Sequence, residues 1–113
     1  MMNECINFSE GLRRLMNNKG LYKKLLLSQQ SGGNNEVLIE LIKAGEHEKI
    51  IRMAHTLKGA ALNLSLTQIG AVAEDIEQRA KEGKSAEDLI DKLRQATEGT
   101  TKAIQDLIES GQL

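Results

Sequence analysis

His55, Lys58 and Gly59 stand within about one turn of each other, in a segment that repeats apolar residues at Ile50, Ala54, Leu57, Ala61 and Leu64. Alternating steps of four and three gather that stripe on one side of a helix. His55 then falls far round toward the opposite side, which places its ring in solvent. Lys58 and Gly59, three and four residues on, share its surface one turn along. A glycine inside a helix costs roughly 1 kcal/mol relative to alanine, and Gly59 caps nothing here. The missing side chain therefore serves either a close helix neighbour or something that approaches from outside.

Each of these residue types has a use if the imidazole carries a phosphoryl group. An imidazole free in water titrates near about 6.5, so at neutral pH one ring nitrogen is nucleophilic without a helper base. Lys58 supplies a positive charge where the phosphoryl oxygens would sit. Gly59 leaves bare backbone over which another protein's active site can close. Ile51 and Leu62 flank His55 with apolar surface. They either broaden the core face or, with Arg52, give an incoming partner a docking surface.

The elements that must position these residues are all helical, because helix-favouring residues fill long periodic segments and no alternating run marks a strand. A short first helix is expected from about Phe8 to Met16, with Asn7 as N-cap, Glu10 in capping-box spacing, and Phe8, Leu12 and Leu15 along one face. A second helical region starts near Leu21 and meets the breakers Ser31-Gly32-Gly33-Asn34-Asn35. It is either one helix or two, and its pattern resumes at Val37 and stops at Gly45. The helix bearing His55 begins between Glu46 and Lys49. Ser65, three residues before Gln68, reads as the cap of the next helix, whose apolar face is Leu66, Ile69, Val72 or Ala73, Ile76 and Ala80. Gly83 closes that helix, and Ser85 with Asp88 opens the last, striped by Leu89, Leu93, Ala96, Thr100, Ala103 or Ile104, and Leu107. Short connections make neighbours antiparallel, so the expected architecture is an up-and-down four-helix bundle with a short additional N-terminal helix.

Composition narrows the function classes. At 113 residues the chain fits a single domain over residues 1–113, without room for an ATP-binding kinase domain beside it. Fifteen basic residues against sixteen acidic ones, with one Tyr, one Phe and no Trp, argue against nucleic-acid binding. The apolar runs are too short to span a bilayer. A lone Cys5 and no signal-like opening segment lead us to expect a cytoplasmic setting. No glycine-rich nucleotide loop is present. His47, beside Glu46 and Glu48, has no second histidine at turn spacing, so no metal site is expected. Glu74, Asp75 and Glu77 read as a solvated face of mixed charge.

The run His55-Thr56-Leu57-Lys58-Gly59-Ala60-Ala61-Leu62-Asn63-Leu64 resembles the signature of histidine-containing phosphotransfer (HPt) domains, H-T-L-K-G followed by A-x-x-N-L. The segment from Ile6 to Leu26 is similar to the leading part of HPt domains in bacterial hybrid-kinase phosphorelays, and Ile76-Glu77 falls where the family usually has Leu-Glu. The resemblance implies a helical bundle in which His55 is the phospho-acceptor and Lys58 stabilises the phosphate. It implies a carrier without kinase, phosphatase or ATP-binding activity of its own. The implied partners are response-regulator receiver domains or a hybrid sensor histidine kinase, with Mg²⁺ on the receiver only and the carrier a monomer. Leu62 stands where the family has a small residue, Ser65 where it has glycine, and Ser28 or Gln29 where it has an aromatic. Leu62 on the docking face motivates an alternative, a non-catalytic adaptor that binds receivers or kinases without efficient transfer. A chemotaxis-type kinase domain fits the leading segment less well.

Overall fold

In the computed structural model, which describes residues 5–31 and 34–113, every regular element among those residues is helical. α1 (Phe8–Arg14) is capped as its spacing predicts: the Asn7 side chain accepts a hydrogen bond from the Glu10 N–H at 3.3 Å, satisfying a donor the first turn leaves open. It stops short of Met16 because Met16 and Asn17 adopt left-handed backbone, with φ of 57° and 62°. The chain thereby turns into α2 (Lys19–Ser31), where Asn18 Oδ1 accepts from the Leu21 N–H at 3.0 Å.

The region with the Gly and Asn breakers forms two helices, α2 and α3 (Asn34–Ala44). Gly32 and Gly33 themselves lie outside the described residues. Gly45, at φ 70°, ends α3, and the Glu46 N–H returns to the Leu41 carbonyl at 3.3 Å, which occupies an acceptor at the helix end. α4 (His47–Leu64) buries Ile50, Ala54, Leu57, Ala61 and Leu64, the stripe read from the sequence. α5 (Thr67–Lys81) buries Ile69, Ala73, Ile76 and Ala80. α6 (Ile90–Glu109) buries Leu93, Ala96, Thr100 and Ile104.

α4 packs along α5, α5 against α6, α6 against α3, and α3 against α4. The core they share includes Leu38, Ile39, Ile76, Leu93 and Ile104. α1 and α2 lie against α4. Tyr22 from α2 is fully buried and donates its hydroxyl to the Leu64 carbonyl at 2.7 Å. It thus ties the second helix to the end of the one that bears His55.

Two capping expectations are corrected. Ser85 accepts from the Glu87 N–H at 3.2 Å, but it opens a 3-10 turn (Glu87–Leu89) that precedes α6. Asp88 is engaged by Arg79, which donates at 2.6 and 3.0 Å to its two oxygens. Ser65 does not cap α5. It closes α4 in left-handed backbone (φ 58°, ψ 39°), and Leu66 takes the N-cap position. The connection is too short for a helix to end and restart otherwise: the Leu66 N–H folds back to the Ala61 carbonyl at 2.8 Å.

Left-handed backbone costs an L-residue roughly 1–2 kcal/mol, partly offset because glycine loses more entropy on folding. Ser65→Gly is therefore expected to raise stability by about 0.5–1 kcal/mol in urea unfolding. A loss would show that the buried serine side chain contributes more than its backbone costs.

Candidate functional site

α4 and α5 are joined by only Ser65 and Leu66 and run side by side from that turn. His55 lies nine residues before the end of α4, and Glu77 lies ten after the start of α5, so at equal rise per residue they sit at the same height. There the two helices build the site. The His55 side chain is 69% exposed, as its position off the stripe predicts, whereas Glu77 is 5% exposed. His55 Nδ1 is 3.2 Å from Glu77 Oε2. Lys58 Nζ is 3.0 Å from Oε1 of the same carboxylate, and Lys81 Nζ is 3.2 Å from Oε2.

A buried carboxylate keeps its charge only when paired. Burial pushes the Glu77 carboxyl up, but hydrogen bonding and charge from Lys58 and Lys81 outweigh it and hold the group below its ordinary range. An ionised carboxylate can only accept a hydrogen bond, so Nδ1 of His55 is the protonated nitrogen facing it. In the neutral ring the lone pair is then on Nε2. The protein thus presents a nucleophile of fixed tautomer, with Lys58 one turn along.

The depressed Glu77 carboxyl has a stability consequence with a definite sign. A group whose folded value lies below its unfolded one stabilises the fold above the unfolded value, near 4.5. That contribution disappears as pH falls through the lower folded value. Glu77→Gln, which cannot ionise, is expected to be less stable than wild type at pH 7, with the gap narrowing from about pH 5 downward. Equal gaps at pH 7 and pH 3 in urea titrations would contradict it.

Glu77 corrects the sequence reading, in which it belonged to a solvated acidic face; Lys81 was not singled out at all. The available signal was positional. Glu77 lies four residues after Ala73 and three before Ala80, both buried, which is an apolar-stripe position of an amphipathic helix. A charge there requires partners, and Lys81 stands at the favourable i,i+4 spacing.

A Cβ built on Gly59 meets nothing within 4 Å, so no neighbouring helix requires that glycine. Leu62 is 57% exposed and Arg52 is exposed. Ile51 is half-buried and packs against the core. Leu62 and Lys58 also border a groove with Glu10 and Arg14 of α1 and Glu74 of α5, which brings the first helix to the edge of the site. His47 is half-buried, and its Nδ1 has no hydrogen-bond partner among the described residues. Among the described residues no group of three His, Cys, Asp or Glu side chains could hold a metal. Cys5 Sγ contacts Gln68 Oε1 at 3.4 Å. No helix among the described residues is long and apolar enough to cross a membrane.

A family model described as the Hpt domain matches residues 26–109. The chain belongs to the Hpt domain family. Hpt domains are phosphocarrier modules of phosphorelays rather than kinases, and receiver domains are the partners the family implies. The matched span holds the second half of α2 and everything from α3 to the end of α6, and leaves α1 outside. No curated protein and no solved structure matches the chain.

Proposed function

We propose that this Hpt domain carries a phosphoryl group on Nε2 of His55, taking it from, or giving it to, the aspartate of a receiver domain. The observation that carries the reading is an exposed imidazole whose Nδ1 is held by a buried, lysine-paired carboxylate. The Nε2 lone pair forms the P–N bond as the P–O bond to the receiver's aspartate breaks, and the carboxylate leaves with the electron pair. The ring becomes an imidazolium that keeps its Nδ1 proton, and Glu77 stabilises the new positive charge. In the reverse direction the same contact keeps the ring cationic, which makes it a good leaving group.

Lys58 offsets the phosphoryl charge, while Gly59, Arg52, Ile51 and Leu62 form the surface on which the receiver closes. The receiver brings its own Mg²⁺ and this chain needs no cofactor. The ring of contacts among α3, α4, α5 and α6 supports an up-and-down four-helix bundle, with two additional N-terminal helices, α1 and α2, where one was expected, and the whole as one domain over residues 1–113. We further propose a cytoplasmic monomer that acts between a hybrid sensor kinase and a response regulator. Incubation with a phosphorylated receiver is expected to place an acid-labile, base-stable label on the chain. Stable receiver binding with no label would replace this reading by the adaptor that exposed Leu62 suggested.

A further inference from the structure

Glu77 is held by two lysines from different helices, and they are not equivalent. Lys58 belongs to α4, one turn beyond His55 on the surface that a phosphoryl group on Nε2 would share. Lys81 belongs to the helix of Glu77 itself, four residues on, so that pair stays intact whatever the α4 surface does. The oxygens divide accordingly. Among the described residues Oε1 has Lys58 as its ion-pair partner and no hydrogen bond besides, whereas Oε2 is shared by His55 Nδ1 and Lys81.

A phosphoryl group brings close to two negative charges. A cation one turn away is drawn to that group more strongly than to a single carboxylate. If Lys58 were the sole counter-ion, its departure would leave Glu77 buried beside the phosphoryl charge with little reason to remain ionised. The Nδ1 proton would then lose the acceptor that fixes it at the moment the ring carries its load.

We propose that Lys81 is a positioning residue that keeps Glu77 on His55 Nδ1 when Lys58 leaves the carboxylate for the phosphoryl group. It rests on the phosphocarrier reading, and in the unmodified chain it makes the two lysines redundant holders of Glu77. After phosphorylation only Lys81 remains, so its loss is felt chiefly in the loaded state.

The test has two arms on the full chain. In the first, ¹⁵N shifts of the His55 ring at fixed pH report the tautomer without any phosphate present. Lys58→Met and Lys81→Met are each expected to keep the Nδ1–H form, and the double variant to lose the preference. A double variant with the wild-type tautomer would overturn the proposal. In the second, potassium phosphoramidate is the donor: Nε2 displaces ammonia from phosphorus, and hydrolysis of the phosphohistidine is followed by ³¹P NMR. Lys81→Met is expected to keep its phosphoryl group two- to fivefold longer than wild type, about the worth of one half-exposed ion pair, because a ring without its Nδ1 acceptor is less readily cationic and leaves phosphorus less easily. Lys81→Arg is expected to match wild type. Equal or shorter lifetimes in Lys81→Met would overturn the proposal. A wild-type chain that takes no label at His55 from phosphoramidate or receiver overturns the phosphocarrier reading instead, and the tautomer arm still decides whether Lys81 holds Glu77.

Discussion

His55→Gln is expected to take no phosphoryl group from a phosphorylated receiver while folding as the wild type does. The two halves of that result have separate causes. An amide nitrogen gives its lone pair to the adjacent carbonyl and is not a nucleophile, so the P–N bond cannot form. The loss is on the order of a thousandfold or more, as when the attacking group of a covalent mechanism is removed. The fold is spared because the His55 side chain is 69% exposed, and surface substitutions usually stay within about 0.5 kcal/mol. The glutamine amide can also donate toward Glu77, which spares the carboxylate from losing a partner. His47 offers no detour: it stands eight residues earlier on α4, about 12 Å up the axis. Gel autoradiography of acid-labile label beside urea unfolding checks both halves. Label persisting on the variant, or appearing on His47, would sink the assignment of His55.

The exposed ring was legible in the sequence because it follows from a stripe internal to one helix. Ile50, Ala54, Leu57, Ala61 and Leu64 set the orientation of α4, and the position of His55 then needs no knowledge of any other element. Glu77 was not legible in the same way. Its stripe position and Lys81 four residues on are local, but its burial and its pairing with Lys58 depend on which helix packs on which, and Lys58 reaches it only across the α4–α5 interface. Ser65 misled for a related reason. Its spacing to Gln68 is that of a capping box, but a connection of Ser65 and Leu66 alone forces the first of them to end one helix before the other can start the next. The apolar periodicity of α6 was read correctly, whereas its start was displaced by a 3-10 turn and by Arg79 reaching across to Asp88. Local pattern dictated the faces of the helices, and contacts between helices dictated the partners of their charges.

Gly11→Ala is expected to destabilise the protein by about 2–4 kcal/mol, against the gain of about 1 kcal/mol that alanine usually brings to a helix interior. Gly11 lies within α1 and is buried. A Cβ built there would stand 2.4 Å from Tyr22 Cζ, and closer still to the hydroxyl oxygen. Tyr22 cannot readily yield, since it is fully buried, stacks on Phe8 with ring centroids 6.0 Å apart, and donates to the Leu64 carbonyl. Moving the ring costs packing strain, and breaking the hydroxyl bond leaves a buried donor and acceptor unmatched. Gly59→Ala supplies the contrast on α4, because a Cβ there meets nothing within 4 Å. It is expected to gain about 0.5–1 kcal/mol from helix propensity while slowing phosphoryl exchange with a receiver that must close over His55. Urea midpoints shifted in opposite directions, with transfer slowed at Gly59 in a more stable protein, would separate a glycine required by the fold from one required by the partner. Stabilisation by Gly11→Ala would mean that Tyr22 can leave the Leu64 carbonyl at little cost, and the tie between α2 and the end of α4 would not contribute to stability.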